Sequence, residues 1–312
     1  IINVENACAS GGTALNLAVN YIRSGAAEVA LAVGVDKMVV SDKRLMFSIF
    51  DGAWDVHDVK AGTDRLLSLG SSVIPPAGIK EQEKRSFFMD VYAAFAKAHM
   101  QVFGTTQRQL AAASAKNHAH SSLNPLAQYQ SSMSIEEVLA AQTIVWPYTS
   151  PMCAPVSDGA ACAVICAKDV LKELEGPRAV KILGSQVITG VQRGATDFDK
   201  HVGHIAAKAA YNESSLGPDD ISCAEVHDAT AFAELQQIEN LMFAPFGEGG
   251  AFIESGAAEL GGTIPVNTSG GLQSKGHPIG ATGLGQIHEL TLQLRGEAGK
   301  RQVNSARYAI AE

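Results

Sequence analysis

Residues 1–35 read IINVENACASGGTALNLAVNYIRSGAAEVALAVGV, and this stretch decides the fold class. Residues 1–5 form a short apolar run of strand type. Residues 9–24 have helical spacing, with Leu15, Ala18, Val19 and Ile22 on one face and Gly25 placed as the stop. Residues 29–35 are an unbroken apolar run of strand length, the kind buried on both faces of a parallel sheet. Strand, helix, strand makes a βαβ unit.

Outward from this unit the character changes. Residues 41–151 hold polar and aromatic loops (47–57), then a helix over 87–103 that stops at Gly104. Thr106 starts another helix (109–118), Asn124-Pro125 is a turn, and Ser134 caps a third helix (135–142). Strand periodicity is scarce here, so the segment reads as a mainly helical insertion. Residues 155–159 (PVSDG) form a loop, and 160–167 read as a strand returning to the first sheet. After the charged link 168–177 the alternation resumes. Strands are expected at 180–188, 223–226, 263–266 and 307–311, and helices at 199–213, 230–242 and 280–295. Such alternation predicts a layered α/β architecture with parallel sheets. A faint internal echo joins VENACASGG at 4–12 to VNTSGG at 266–271, as though two halves share one plan.

Composition narrows the function. The chain has 312 residues, 46% apolar and 18% charged, with 30 glycines and a net charge of −8. That balance supports a large core. No basic block occurs, which argues against nucleic acid or an anionic membrane surface as partner. The longest apolar runs fall far short of the roughly 20 residues that span a bilayer. Five scattered cysteines do not read as a disulfide framework, and a reducing, cytoplasmic setting fits them better.

Three residues could carry chemistry. Cys8 sits at a strand-to-helix junction followed by Ala-Ser-Gly-Gly, where free backbone N–H groups and the helix dipole favour a thiolate. Taken alone, a cysteine in such a place is more often a small buried hydrophobe. His277 lies in a glycine-dense turn, SKGHPIGATG at 274–283, just before a helix. A phosphate loop is the rival reading, but G-x-G-x-x-G is not met. His227 follows a strand and precedes a helix, a position that points into the crevice where α/β proteins bind ligands. Capping of that helix by Asp228 or Thr230 explains the segment equally well. His118 with His120, and His201 with His204, lack the carboxylate or thiol company of a metal site and read as solvated helix faces. No metal site is expected.

These segments together resemble the thiolase superfamily. ENACASG at 5–11 is similar to its nucleophile segment, and NTSGGLQSKGHPIGATG at 267–283 to the segment with its catalytic histidine. PVSDG at 155–159 and NHAHSSLNPLAQ at 117–128 are thiolase-like too, and the likeness is collinear over nearly the whole chain. Val226-His227-Asp228 resembles the sterol-carrier-protein-type branch, whose His-Asp-Cys-Phe motif has Ala229 and Thr230 here in place of its last two residues. That departure removes one expected acid/base group. The resemblance also implies further βαβ units ahead of Ile1 and a glycine-rich loop beyond Glu312.

The resemblance implies a duplicated α/β/α/β/α layered fold. Its halves would be 1–40 with 152–175 and 176–312, with 41–151 as an inserted loop domain. It implies Claisen cleavage or condensation of acyl-CoA and 3-ketoacyl-CoA thioesters through an acyl-cysteine on Cys8. His277 would be the activating base and His227 the donor to the thioester oxygen. Substrate-facing or oxyanion roles would fall to Asn267, Ser269, Gly270 and Gly280. Coenzyme A enters as substrate, no cofactor is tightly bound, and a homodimer or higher homo-oligomer is implied. Two rival readings are a thiolase-fold aldolase acting on steroid- or aryl-type 3-hydroxyacyl-CoA with a DUF35-like partner subunit, and a non-catalytic subunit that binds CoA esters.

Overall fold

The architecture turns on two helices that meet end to end between two sets of strands. In the computed structural model, which describes residues 1–42, 45–46, 57–173 and 178–312, helix α1 is Ser10–Arg23 and strand β1 is Val29–Asp36. Between β1 and its partner strand lie helices α2 (Val59–Leu67), α3 (Phe87–Phe103), α4 (Gln107–Ser121) and α5 (Ile135–Ala140). A small hairpin follows, β2 (Thr143–Val145) and β3 (Tyr148–Thr149), and then β4 (Gly159–Cys166). The remainder comprises α6 (Lys168–Leu171), α7 (Val202–Ser214), β5 (Cys223–Glu225), α8 (Ala231–Asn240), α9 (Gly249–Glu254), α10 (Thr282–Arg295) and β6 (Ala309–Ala311).

Local signals account for several helix ends. Ser86 caps α3 by accepting from the Phe88 N–H, and Gly104 closes that helix with φ +75°. Thr106 with Gln109, and Ser134 with Glu137, form reciprocal capping boxes for α4 and α5. Helix α1 packs on β1, while α10 packs on β4 on one side and on β5 and β6 on the other. The two helices therefore form a layer between strand pairs. β5 and β6 are parallel, and Val266 adds a parallel bridge to Ala224.

Several strands depart from expectation. β1 pairs antiparallel with β4 in unbroken register from Val29↔Cys166 to Asp36↔Gly159, not within a parallel sheet. Only one of its faces is covered among the described residues. Ala30 and Ala32 pack with Leu15, Ala18 and Leu284, whereas Val29, Leu31, Val33 and Val35 are exposed. An apolar run in sequence specifies a strand but neither its direction nor its neighbours. Residues 1–5 and 180–188 carry no strand ladder, and 263–266 contribute only the Val266 bridge. Of the expected 47–57 loop, residues 47–56 lie outside the described residues, as does the 175/176 boundary.

The main core joins segments from both sides of β4. Leu110 of α4, Tyr148 and Met152 pack in one cluster with Val226, Phe232, Leu235, Ile238 and Val266. The segment between β1 and β4 is thus welded to the second half through α4. Its polar residues are buried by pairing. The Lys116 ammonium lies 2.9 Å from Glu234 and donates to the Val266 carbonyl at 2.6 Å, while Asn117 donates to Asp228 (2.9 Å) and Glu234 (2.5 Å).

Glycine permits the meeting of α1 and α10. A Cβ on Gly34 would stand 2.2 Å from the Gly280 carbonyl oxygen, one on Gly11 2.8 Å from the same atom, and one on Gly283 2.7 Å from the Gly12 nitrogen. Gly12 itself has open space. Gly34→Ala should therefore cost about 1–3 kcal/mol through overpacking against rigid backbone. Gly12→Ala should be neutral or stabilising by up to about 1 kcal/mol. Urea unfolding of the two variants checks this, and equal stabilities would refute the close contact.

Candidate active site

Cys8 stands in a 3-10 turn (Ala7–Ala9) that runs directly into α1. The turn is built by short-range hydrogen bonds. Ala7 N–H donates to the Glu5 carboxylate at 2.8 Å, Asn6 N–H to the Ser10 hydroxyl at 2.8 Å, and Asn6 Nδ2 to Thr13 at 3.0 Å. Ala7 has φ +46°, a left-handed conformation that costs a non-glycine residue about 1–3 kcal/mol and is held by these contacts.

His277 is fixed from both ends. Its backbone N–H donates to the Ser157 hydroxyl at 2.9 Å, and that hydroxyl donates to the Gln128 side-chain oxygen at 2.6 Å. Gly276 just before it has φ +114°, and a Cβ there would stand 2.8 Å from Ser157 Oγ, so the approach requires glycine. The Thr282 hydroxyl donates to the Pro278 carbonyl at 3.0 Å. Its oxygen must then accept from His277 Nδ1, 2.7 Å away, which puts the ring proton on Nδ1 and leaves the Nε2 lone pair free. Asp36, at the end of β1, accepts from the Gly280 N–H and ties the same loop to the sheet. Asp158 holds the neighbouring turn by accepting from Met38 and Val39 N–H at 2.7 Å each.

His227 follows β5. Its backbone N–H donates to Glu312 at 3.1 Å, while its Nε2 is shielded from solvent and has no partner among the described residues. The adjacent Asp228 is buried, accepts from Leu272 N–H (2.6 Å) and Gln273 Nε2 (2.8 Å), and anchors the loop. The two imidazoles meet edge to face with centroids 5.1 Å apart. Cys8 Sγ and one ring nitrogen each from His227 and His277 lie within 4.8 Å of one another. The structure thus brings together the three residues singled out from sequence, which lie far apart along the chain.

The other expected site residues sit in the supporting loop. The Asn267 side chain accepts from Val226 N–H (2.8 Å) and donates to Glu234 (3.1 Å), and the Ser269 hydroxyl donates to Glu225 (2.6 Å). Gly270 has φ +103°, and a Cβ there would stand 2.3 Å from Ser121 Cβ, so it permits close packing of α4 on the loop. Gly280 supplies the N–H that Asp36 holds. Ser157, Gln128, Asp36 and Thr282 were not singled out from sequence. Their only signal was membership of polar, glycine-rich segments.

The remaining histidines correct the reading of solvated faces. His118 and His120 are buried in α4. His118 Nδ1 lies 3.1 Å from Ser274 Oγ, and His120 bridges the Asn267 carbonyl (3.0 Å) and the Leu260 N–H (3.1 Å). His204 is buried with Nδ1 3.1 Å from the Asn240 carbonyl, and His201 caps α7.

Electrostatics set the resting state. Burial pushes the Cys8 thiol up to about 11, with the charges of Asp36 and Glu5 adding to the effect, and outweighs the help of its own backbone N–H. The expectation of a thiolate favoured by the helix start is therefore not met at rest. Burial lowers His227 to about 4, assisted by the Lys275 ammonium. It holds His277 well below the usual imidazole range, with His227 and Lys275 pushing the same way. At neutral pH the site is a thiol beside two uncharged rings. The thiolate ultraviolet absorbance of wild type minus Cys8→Ala should be absent at neutral pH and should develop only above roughly pH 10. A step near pH 7 would show a resting thiolate–imidazolium pair instead.

Comparison with known proteins agrees with this geometry. Residues 1–136 match the family described as "Thiolase, N-terminal domain", and residues 189–312 the family "Thiolase C-terminal domain-like". An acetyl-CoA acetyltransferase of Methanothermobacter thermautotrophicus is 36% identical over 310 residues, which cover 97% of this chain and 73% of that protein. Sterol carrier protein 2 of Rattus norvegicus is 36% identical over 318 residues, and there the match covers 99% of this chain but 55% of the relative. The chain thus spans about three quarters of the first relative and about half of the second. Among solved structures, the Ltp2-ChsH2(DUF35) aldolase superposes with a TM-score of 0.73 at 22% identity, over 97% of this chain and 74% of that one. That likeness concerns the fold alone. With its α/β layers and both halves matched, the chain belongs to the thiolase family.

Proposed function

We propose that the chain carries the acyl-transfer site of a thiolase-type enzyme acting on acyl-CoA or 3-ketoacyl-CoA thioesters through an acyl-cysteine on Cys8. The observation that carries this reading is the convergence of Cys8, His227 and His277, with one free lone pair on His277. Kinship with an acetyl-CoA acetyltransferase supplies the substrate class.

In this reading the Cys8 sulfur attacks the carbonyl carbon while its proton passes to His277 Nε2. A neutral imidazole of lowered basicity accepts that proton only as the C–S bond forms, so no charge is buried beforehand. The carbonyl oxygen becomes negative. His227 Nε2, which has no partner among the described residues, carries the ring proton toward that oxygen and stabilises it by up to several kcal/mol in so enclosed a place. The proton on His277 then goes to the departing group, either the CoA sulfur or the α-carbon of the departing acyl-CoA enolate. Transfer of the acyl group to CoA reverses these steps. Free cysteines at all five positions suit a reducing, cytoplasmic compartment. Association into at least a homodimer is part of the proposal.

One observation favours a second reading. Where the related branch carries a further acid/base cysteine, this chain has the buried Ala229, and the Thr230 hydroxyl that follows is engaged with Tyr148 at 3.2 Å. A C–C lyase working on 3-hydroxyacyl-CoA with a DUF35-like partner does not need an acyl-cysteine.

Incubation with acetyl-CoA followed by intact-mass measurement separates the two. The wild type should gain one acetyl group, Cys8→Ala none, and His277→Ala should acylate about 10²–10⁴-fold more slowly. Absence of an adduct from a folded wild type that still cleaves a 3-hydroxyacyl-CoA would replace acyl transfer with lyase chemistry.

A further inference from the structure

The same three side chains form a ligand set for a soft metal ion. We propose that Cys8, His227 and His277 bind one thiophilic divalent cation, zinc foremost, in direct competition with acylation. The proposal shares its residues with the acyl-transfer reading but stands on their geometry alone, so binding does not depend on turnover.

Tetrahedral zinc holds sulfur at about 2.3 Å and imidazole nitrogen at about 2.0–2.1 Å, which sets its ligand atoms about 3.4–3.7 Å apart. The three atoms here lie within 4.8 Å of one another, so contraction by about 1.4 Å at most completes the set. The His277 ring has the outer partner that ligating histidines require. His277 Nδ1–H is held by the Thr282 hydroxyl, and that hydroxyl by the Pro278 carbonyl, leaving Nε2 for the ion. His227 Nε2 is shielded from solvent and has no partner among the described residues; on ion binding the ring proton shifts to Nδ1 and frees the Nε2 lone pair. An unmatched nitrogen enclosed beside a thiol is what a cation would satisfy.

Charge agrees. Asp36 and Glu5 act on Cys8 as negative neighbours, against the Lys275 ammonium that acts on the two rings. On binding, the ion takes the lone pairs of two neutral imidazoles and the Cys8 sulfur, whose proton leaves to solvent. No group changes oxidation state. A fourth position stays open for water or a thioester sulfur. Nucleophile and base are both occupied by the ion, so the metal-bound site cannot be acylated.

The test uses the reduced, metal-free chain and cobalt(II) as a spectroscopic stand-in. The wild type should develop a sulfur-to-cobalt charge-transfer band that saturates at one ion per chain and is displaced by zinc. Cys8→Ala and His277→Ala should lose it, while Cys162→Ser, at an exposed cysteine of β4, should keep it. Wild type alkylated at Cys8 beforehand should lose it too, which keeps the test decisive if a variant misfolds. With zinc at ten times its dissociation constant, alkylation of Cys8 should slow about elevenfold. No band in the wild type, or a band that survives in Cys8→Ala, overturns the proposal. The two readings fail separately. Acylation without cobalt binding leaves only acyl transfer, and cobalt binding without acylation leaves only the metal site.

Discussion

Two helices begin within van der Waals contact of each other, and the rest of the site depends on that contact. The α1 start carries Cys8, and the α10 start follows directly on the His277 loop. Their backbones touch where Gly11 faces the Gly280 carbonyl and Gly283 faces the Gly12 nitrogen, and Gly34 of β1 packs on the same carbonyl. Side chains at these positions would force the two ends apart, and the sulfur would leave the reach of the imidazoles. The Asp36 carboxylate reinforces the contact by holding the Gly280 N–H from the end of β1. In the proposed mechanism this packing governs reactivity, because a proton transfer falters when its partners separate by even an ångström.

Bringing these groups together in an enclosed place also fixes their charge. A helix start favours a thiolate, yet desolvation wins, and two neighbouring carboxylates add to the penalty. The imidazoles respond in the same sense and stay neutral. In the proposed reaction charge appears only when the substrate carbonyl develops an oxyanion and His277 takes the proton. Such an arrangement protects the thiol from stray oxidation, since the thiolate is the oxidisable form. Around it, a buried network centred on Lys116, Asn117, Asp228 and Glu234 holds the His227 loop against α4. Removing one member would strand a buried charge, which makes the network a rigid support.

Much of this was legible from sequence where the signals are local. Helix α3 runs from 87 to 103 and ends at Gly104 as its composition predicts, and Thr106 and Ser134 cap their helices. Cys8, His227 and His277 stood out because each occupies a junction before a helix, and they do converge. Pairing was not legible. The run at 29–35 specifies a strand, but its antiparallel partner lies more than a hundred residues away, and the exposed valines follow from what covers each face. Helix α4 misled for another reason. KNHAHS looks like a wet surface, and it is buried because Lys116, Asn117, His118 and His120 find partners contributed by residues distant in sequence. The roles of Thr282 and Ser157 were hidden for the same reason, since a hydroxyl in sequence does not disclose which proton it directs.

The central claim is that the resting site is uncharged, with His277 presenting a bare Nε2 to the Cys8 thiol. Nitrogen-15 spectra of histidine-labelled protein, assigned with His277→Gln, read that state directly. At neutral pH the account predicts the neutral Nδ1–H tautomer for His277. A doubly protonated His277 at that pH, beside an ionised Cys8, would contradict it.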